Sequence, residues 1–205
     1  STRTEAGPST ADRSCAIDYL VGMPEIHFTD APESNQLLAD NHFALVVGMT
    51  LYQQVPVEKA FAGPAVIRER LGKPLDAATI ASMDLETLEE AFREKPAVHR
   101  FPANMAKRVH AVATYLVDTY DGDVAGLWEG VGSGAELLER IQDMPGFGEY
   151  KAKVYAAVLA RQFGIAPDGW DDDLPDWPNI SEVNSERDRA EMKERKKAWK
   201  QAGGS

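Results

Sequence analysis

A glycine-rich turn between two amphipathic segments constrains this 205-residue chain more than any other feature. Residues 135–143 and 149–162 each repeat apolar side chains with the period of an α-helix. The turn between them reads MPGFG at residues 144–148. Pro145 fixes its own φ angle, and the two glycines allow backbone conformations that a side chain would forbid. We therefore predict two short helices joined by a tight turn, which we call the glycine corner (residues 144–148).

The glycine corner predicts a phosphate site at the start of its second helix. The first N–H groups of a helix have no partner within that helix, and the helix dipole makes this end positive. Lys151 and Lys153 lie within one turn of it and add positive charge. The alternative is an ordinary helical hairpin that needs glycine only in order to turn.

Composition limits the classes of protein to which the chain can belong. A hydrophobic content of 43% is enough for the core of one domain or of two small lobes. No apolar run approaches the roughly 20 residues that cross a bilayer, and the first residues lack a signal-peptide pattern. We therefore expect a cytoplasmic protein with no membrane contact. The single cysteine, Cys15, argues against an internal disulfide and against cysteine-ligated zinc or iron–sulfur clusters.

The net charge of −11 argues against nucleic-acid affinity spread over the whole surface. It leaves room for a local basic patch. Acidic residues concentrate at residues 84–94, 118–123 and 168–176, so the helical hairpin is comparatively basic.

Helical patterns occupy most of the remaining sequence. Apolar periodicity and capping residues predict further helices over residues 34–40, 42–54, 57–71, 76–81, 85–92 and 103–120, and a charged helix over residues 181–201. Ser34 is the expected N-cap of the first of these helices. Residues 14–21 fit a short helix or a strand equally well. Because no alternating strand pattern is convincing, we predict an all-α fold.

The predicted helices suggest three parts. Residues 1–33 read as an N-terminal tail and connecting segment, residues 34–166 as a helical domain, and residues 167–205 as an acidic loop followed by a charged helix.

Separated motifs resemble the helix-hairpin-helix base-excision DNA glycosylases, the HhH-GPD superfamily. The glycine corner, followed by Ala152, is similar to their Leu-Pro-Gly-Val/Ile-Gly turn and the alanine that comes after it. Residues 51–55, LYQQV, look like the Leu-x-Gln-Gln-Val/Ile-Ser segment of the alkylbase branch, with Pro56 where serine is usual. A small bacterial group within the superfamily also carries a segment similar to HRFP at residues 99–102. The resemblance covers residues 41–164 and implies two helical lobes with a cleft between them.

The resemblance implies a monomeric enzyme that binds double-stranded DNA, extrudes a damaged base and cleaves its N-glycosidic bond. The residues that it places on the DNA are Gly146, Phe147, Gly148, Lys151, Lys153 and Arg100. Those that it places in the base pocket, or as the wedge that fills the gap in the duplex, are Gln53, Gln54, Tyr150, His99 and Phe101. It also suggests that a monovalent cation binds the backbone carbonyls of Gln142, Met144 and Phe147, and it implies no other cofactor.

The resemblance also suggests how the bond is cleaved. Strand-nicking members carry a lysine nucleophile two residues after the last hairpin glycine, where this chain has Tyr150. Lys151 follows at about 100° around the helix, so we expect water as the nucleophile and no strand cleavage. The family's essential aspartate faces the positive charge that develops on the sugar. Two ways of counting match it to Asp168 or Asp171, although neither is followed by the family's usual helix start.

Simpler roles are open for the same residues. Gln53 and Gln54 fit polar residues that cap a buried helix, and His99 fits a hydrogen-bonded loop histidine. The aspartates fit a solvated acidic loop. Two other functions are therefore open: a non-catalytic DNA-binding protein that kept the fold and lost the acid, and a protein-interaction domain.

Overall fold

The computed structural model describes residues 24–204. Within this range the fold consists of α-helices and two short 3₁₀ helices, with no strand, so the all-α prediction is confirmed. The predictions for the tail, including the ambiguous segment 14–21, lie outside the described residues. The helices are α1 Pro32–Asp40, α2 His42–Leu51, α3 Val57–Leu71, α4 Ala77–Ala81, α5 Leu85–Arg93, α6 Pro102–Tyr120, α7 Gly134–Gln142, α8 Glu149–Phe163 and α9 Glu186–Gln201, with the 3₁₀ helices at Val124–Leu127 and Ile180–Glu182.

Hydrophobicity among the described residues gives one further result. In residues 24–204 every helix is too short or too polar to serve as a membrane span.

Side-chain caps start several of these helices, and α4 and α5 begin within one residue of their predicted starts, whereas α9 begins at Glu186, five residues after its predicted start. Asp76, Asp84 and Ser133 each accept a hydrogen bond from the amide three residues later. The predicted start of α1 is wrong, because that helix begins at Pro32, and Ser34 lies buried inside its first turn. Proline has no N–H to leave unpaired, so it suits the first position of a helix.

The core is organised around α2. All of its residues from Phe43 to Leu51 are buried, and it packs against α1, α3 and α6. The crossing of α2 and α3 is close because Gly48 and Gly63 lack side chains. A Cβ atom on Gly48 would lie 2.6 Å from the ring of Phe61, and one on Gly63 would lie 2.4 Å from Leu51. This compact centre supports the segment 52–57, which follows α2 directly.

The C-terminal part of the chain packs back onto the N-terminal part. Arg189 on α9 is buried, donates to the carbonyl of His27 at 3.1 Å and forms ion pairs with Asp30 and with Glu58. Met192, one turn further along α9, is also buried. These contacts hold α9 beside the start of α3, close to segment 52–57.

Candidate nucleic-acid interface

Buried side chains hold the glycine corner in place, while the backbone at its glycines is exposed. Met144 and Phe147 are buried, and the amide of Phe147 donates to the carbonyl of Met144 at 3.1 Å. Gly146 has a φ angle of +81°, a conformation in which a Cβ atom would be strained. A Cβ atom on Gly148 would meet no other atom within 4 Å. The corner therefore presents bare backbone to the surface, as the sequence predicts.

Helix α8 starts at this corner without a side-chain cap. Gly148 is its N-cap residue, and the first hydrogen bond within the helix runs from the amide of Ala152 to the carbonyl of Gly148 at 2.9 Å. No partner in residues 24–204 accepts from the amides of residues 149–151. These N–H groups lie at the positive end of a 15-residue helix and are available to an anion.

The corner borders a groove of about 910 Å³. Its sides are formed by residues 52–57, by residues 148–151 at the start of α8, and by α9. Several of the predicted site residues line this one groove, namely Gln53, Gln54, Gly148, Tyr150 and Lys151. The structure thus brings together the two motifs that lie about a hundred residues apart in the sequence.

The third side of the groove is not predicted by the sequence. Helix α9 contributes Met192, Trp199 and four lysines, which are Lys193, Lys196, Lys197 and Lys200. The lysines follow i, i+3, i+4, i+7 spacing, so they lie on one face of the helix. The lysine spacing is the one feature of the sequence that indicates this face. Helix α9 carries charged residues on all sides, however, so the lysine face does not stand out in the sequence.

The groove is basic although the protein is acidic. Its lining contains the four lysines of α9 together with Lys151, and Glu149 is its one acidic residue among those that the structure describes. Glu149 pairs with Lys153, whose Nζ lies 3.0 Å from the carboxylate. The chain as a whole has a formal charge of −11, so the basic groove is where a polyanion would approach.

Aromatic rings line the same groove. The ring of Tyr150 stacks on Trp177 with 4.3 Å between ring centroids and 13° between planes. Tyr150 is 45% exposed, so its other face is accessible from the groove. Tyr52 accepts a hydrogen bond from Lys196 at 3.0 Å. Burial, with a smaller contribution from Glu58, raises the pKa of Tyr52 to about 12, so this phenol keeps its proton at neutral pH.

The structure gives Gln53 and Gln54 different roles. The Gln53 amide donates to the carbonyl of Thr50 at 3.3 Å, and its oxygen accepts from Arg108 at 3.3 Å. Gln53 therefore caps the end of α2, as the simpler interpretation of the sequence proposes. Gln54 is exposed and has a φ angle of +56°, a left-handed conformation that is costly for a residue with a side chain. Strain of this kind is often found at binding sites.

His99 is buried and connects two backbone segments by hydrogen bonds, and it is not an exposed residue of the base pocket. The amide of Phe101 donates to Nδ1 at 3.0 Å, so Nε2 carries the proton and donates to the carbonyl of Gln53 at 3.0 Å. Burial lowers the pKa of His99, which agrees with a neutral ring. His99 thereby holds segment 53–54 in place.

Arg100 and Phe101 form a separate exposed pair. The Arg100 guanidinium lies 4.7 Å from the centroid of the Phe101 ring, and Phe101 is 43% exposed. Neither residue lines the groove.

The two predicted DNA-contacting lysines also differ. Lys151 points toward the groove floor, where its Nζ donates to the carbonyl of Thr50 at 3.2 Å and lies 5.2 Å from the Phe147 ring centroid. Burial, and to a smaller extent Arg108, lowers the pKa of Lys151 to about 8. Lys153 instead lies between Glu149 and Asp173, at 3.0 Å and 3.6 Å, so these acids offset much of its charge.

Arg108 is a second residue that the sequence does not predict. It comes from α6, donates to Gln53, and lies 3.7 Å from where a Cβ atom on Gly146 would be. A cation therefore stands directly beside the glycine corner. Nothing in the sequence around Arg108 indicates this, because the two positions meet only through the packing of α6 near the α7–α8 hairpin.

The structure does not place Asp168 or Asp171 in the groove beside the glycine corner. The carbonyl of Asp168 accepts from the amide of Gly134, the first residue of α7, whereas the corner follows the last residue of that helix. Both aspartates are exposed, and neither lines the groove. The loop then returns along α8, because Asp173 reaches Lys153 and Trp177 reaches Tyr150.

The candidate cation site at the corner consists of backbone carbonyls. The carbonyl of Met144 already accepts the hydrogen bond that closes the turn, and an oxygen atom of this kind has a second lone pair to offer. Residues 24–204 contain no cluster of His, Cys, Asp and Glu side chains suited to holding a metal ion. A cation on Gln142, Met144 and Phe147 stays a prediction.

The fold and the groove define an all-α protein with a basic, aromatic groove beside an uncapped helix start. Comparison with known proteins found no match for this chain among family models, curated proteins or solved structures. Any function assigned to the groove therefore depends on its own residues.

Proposed function

We propose that this chain is a helix-hairpin-helix DNA glycosylase that acts as a monomer on duplex DNA and hydrolyses the N-glycosidic bond of an extruded base. One observation carries the proposal. The uncapped start of α8 opens directly onto the basic, aromatic groove, and the strained residue Gln54 lies at the edge of that groove. Backbone amides, lysines and exposed rings are the groups that bind phosphates and unstacked bases.

Each part of the groove has a role in this proposal. The amides of residues 149–151, with Arg108 beside them, hold the phosphates next to the target nucleotide. The lysine face of α9 follows the DNA backbone. The accessible face of Tyr150, supported from behind by Trp177, stacks on the extruded base, an interaction worth about 1–3 kcal/mol per base. Gln54 fills the gap that the base leaves in the duplex.

The hydrolytic step requires a carboxylate near the sugar. The resemblance assigns this role to Asp168 or Asp171, and Glu149 is the carboxylate that lines the groove. Water attacks the sugar, and the carboxylate stabilises the positive charge that develops there. Because Tyr150 takes the position of the lysine in strand-nicking members, the expected product is an intact strand with an abasic site.

An excision assay tests the reaction. Duplexes that carry one alkylated, deaminated or oxidised base are incubated with the protein, and abasic sites are detected by alkaline cleavage. We expect release of at least one of these bases, and we expect one of Asp168→Asn, Asp171→Asn and Glu149→Gln to abolish it. Release that survives all three substitutions would show that the catalytic group lies elsewhere.

A second experiment tests the DNA interface separately from the chemistry. Lys197→Gln/Lys200→Gln should lower the slope of log Kobs against log [salt] by about 1.8 in magnitude, because each released phosphate contact is worth about 0.9. The control, Lys73→Gln/Lys107→Gln, makes the same change of charge outside the groove and should leave the slope unchanged. If the two double variants show the same slope of log Kobs against log [salt], the lysines of α9 do not contact the DNA.

A non-catalytic DNA-binding protein is the second candidate function. It is favoured by the position of Asp168 and Asp171, neither of which lines the groove. Salt-dependent duplex binding without release of any base would select this function over the first.

A further inference from the structure

The inner end of the groove narrows to a recess between two tyrosines. The recess measures about 30 Å³, and Tyr52, Tyr150, Lys151, Lys196 and Asn179 are among the residues that line it. It is too small for a nucleobase, so a base in the groove would lie over it with one edge turned toward it. The groups of this recess then determine which base edges are accepted.

Two ammonium groups at this recess carry the positive charge. Lys196 donates to the Tyr52 hydroxyl at 3.0 Å, and Lys151 donates to the carbonyl of Thr50 at 3.2 Å. An ammonium group has three donors, so each lysine keeps donors for a ligand. No carboxylate in residues 24–204 lines the recess.

Two acidic residues next to the groove segments, Glu149 and Glu58, are paired with other cations. Glu149 pairs with Lys153 at 3.0 Å, and Glu58 pairs with Lys193 at 2.5 Å and with Arg189 at 3.3 Å. A positively charged base would therefore meet two ammonium groups with little compensation.

Aromatic faces that would attract a cationic base are also occupied. The Nζ atom of Lys196 lies 5.0 Å from the centroid of the Tyr52 ring, and that of Lys151 lies 5.2 Å from the centroid of the Phe147 ring. These are cation–π distances, so the protein's own ammonium groups use these rings. One face of Tyr150 is covered by Trp177, and only its other face is left for stacking.

From this arrangement we infer that the groove selects uncharged bases with carbonyl acceptors, the deaminated or oxidised class, and rejects N-alkylated bases that carry a positive charge. The carbonyl oxygens of such a base accept hydrogen bonds from Lys151 and Lys196 while its ring stacks on Tyr150. This inference rests on the proposed extrusion of a base into the groove. It also departs from the alkylbase branch that the Gln53-Gln54 motif resembles.

The experiment measures binding, so that it does not depend on catalysis. Duplexes carry a single 2′-fluoro nucleotide that resists hydrolysis, with uracil, hypoxanthine or 7-methylguanine as its base, and an undamaged duplex serves as reference. We expect the full chain to bind the uracil or the hypoxanthine duplex about tenfold more tightly than the 7-methylguanine duplex, because only the last carries a charge of the same sign as the recess. Fluorescence anisotropy gives the dissociation constants.

A pair of matched variants locates the preference. Lys196→Gln keeps a hydrogen-bond donor and removes the charge, so the preference should fall to about threefold or less. Lys107→Gln makes the same change of charge on the exposed surface of α6, where its partner is Glu89, and should leave the preference unchanged.

Each contrary result has its own meaning. Tighter binding of the 7-methylguanine duplex overturns the inference and leaves the proposed function standing, since a base is then recognised with the opposite selectivity. Equal binding of all three damaged duplexes and the undamaged reference overturns both the inference and base extrusion. A preference that Lys196→Gln and Lys107→Gln reduce equally also overturns the inference, because the recess is then not its source.

Discussion

At the scale of single residues, substitution of Gln54 by glycine should affect the stability of the protein and its activity in different ways. Its left-handed backbone costs about 1–2 kcal/mol, and glycine would remove that cost while adding about 0.5–1 kcal/mol of backbone entropy to be lost on folding. We therefore expect Gln54→Gly to leave the free energy of unfolding unchanged or to raise it by about 1 kcal/mol, as measured in urea. If Gln54 is the wedge, base release and lesion binding should nevertheless fall. Gln54→Ala keeps the strain and should lose the same activity, and full activity in both variants would exclude a wedge here.

The buried ammonium group of Lys151 predicts how the free energy of unfolding depends on pH. Its pKa is about 8 in the folded protein and 10.5 in the unfolded chain, so between these values the unfolded chain binds more protons. The free energy of unfolding should therefore rise as the pH is raised from 8 to 10.5. Below pH 8 the ammonium group is charged in the folded protein, so the destabilisation caused by burying that charge is fully present. Lys151→Met should remove that rise and should be more stable than the wild type at pH 7 by about 1–2 kcal/mol. Urea unfolding at pH 7 and pH 10 tests this, with Lys197→Met as the exposed control. A rise of the same size in both variants would contradict the assignment to Lys151.

At the scale of elements, the sequence predicts local features better than distant contacts. The bounds of α3 and the exposed glycine corner follow from apolar spacing, caps and glycine positions, all of which act over a few residues. The predicted start of α1 was wrong by two residues because proline at its first position competes with Ser34 as the starting signal. The lysine face of α9 and the place of Arg108 depend on which elements meet in space. Local patterns do not contain that information.

The acidic loop illustrates the same limit. Counting residues along the chain correctly places Asp168 and Asp171 in the loop that follows α8. The path of the loop, however, is set by contacts to distant residues, such as the bond between the carbonyl of Asp168 and the amide of Gly134 and the stacking of Trp177 on Tyr150. A residue count does not determine where such a path leads.

At the scale of the whole molecule, one buried arginine connects the start of the described chain to the groove. Arg189 joins α9 to residues 27–30 and to Glu58, and it is 5% exposed. Because α9 forms one side of the groove, its attachment is a condition for the groove to exist. Arg189→Met should lower the free energy of unfolding by about 2 kcal/mol, since it removes charge-assisted hydrogen bonds that attach α9 and leaves the carbonyl of His27 without its donor.

The same substitution should weaken DNA binding even where the protein is still folded. Arg187→Met is the matched control, because Arg187 lies on the same helix, its side chain is 85% exposed, and it pairs with Glu191 on the surface of that helix. We expect it to change the free energy of unfolding by less than about 0.5 kcal/mol and the DNA affinity only slightly. Duplex binding is measured at a temperature where circular dichroism shows both variants folded. If Arg189→Met then binds DNA as tightly as Arg187→Met, the lysines of α9 reach the DNA without being fixed at the groove, and the anchoring of α9 serves stability alone.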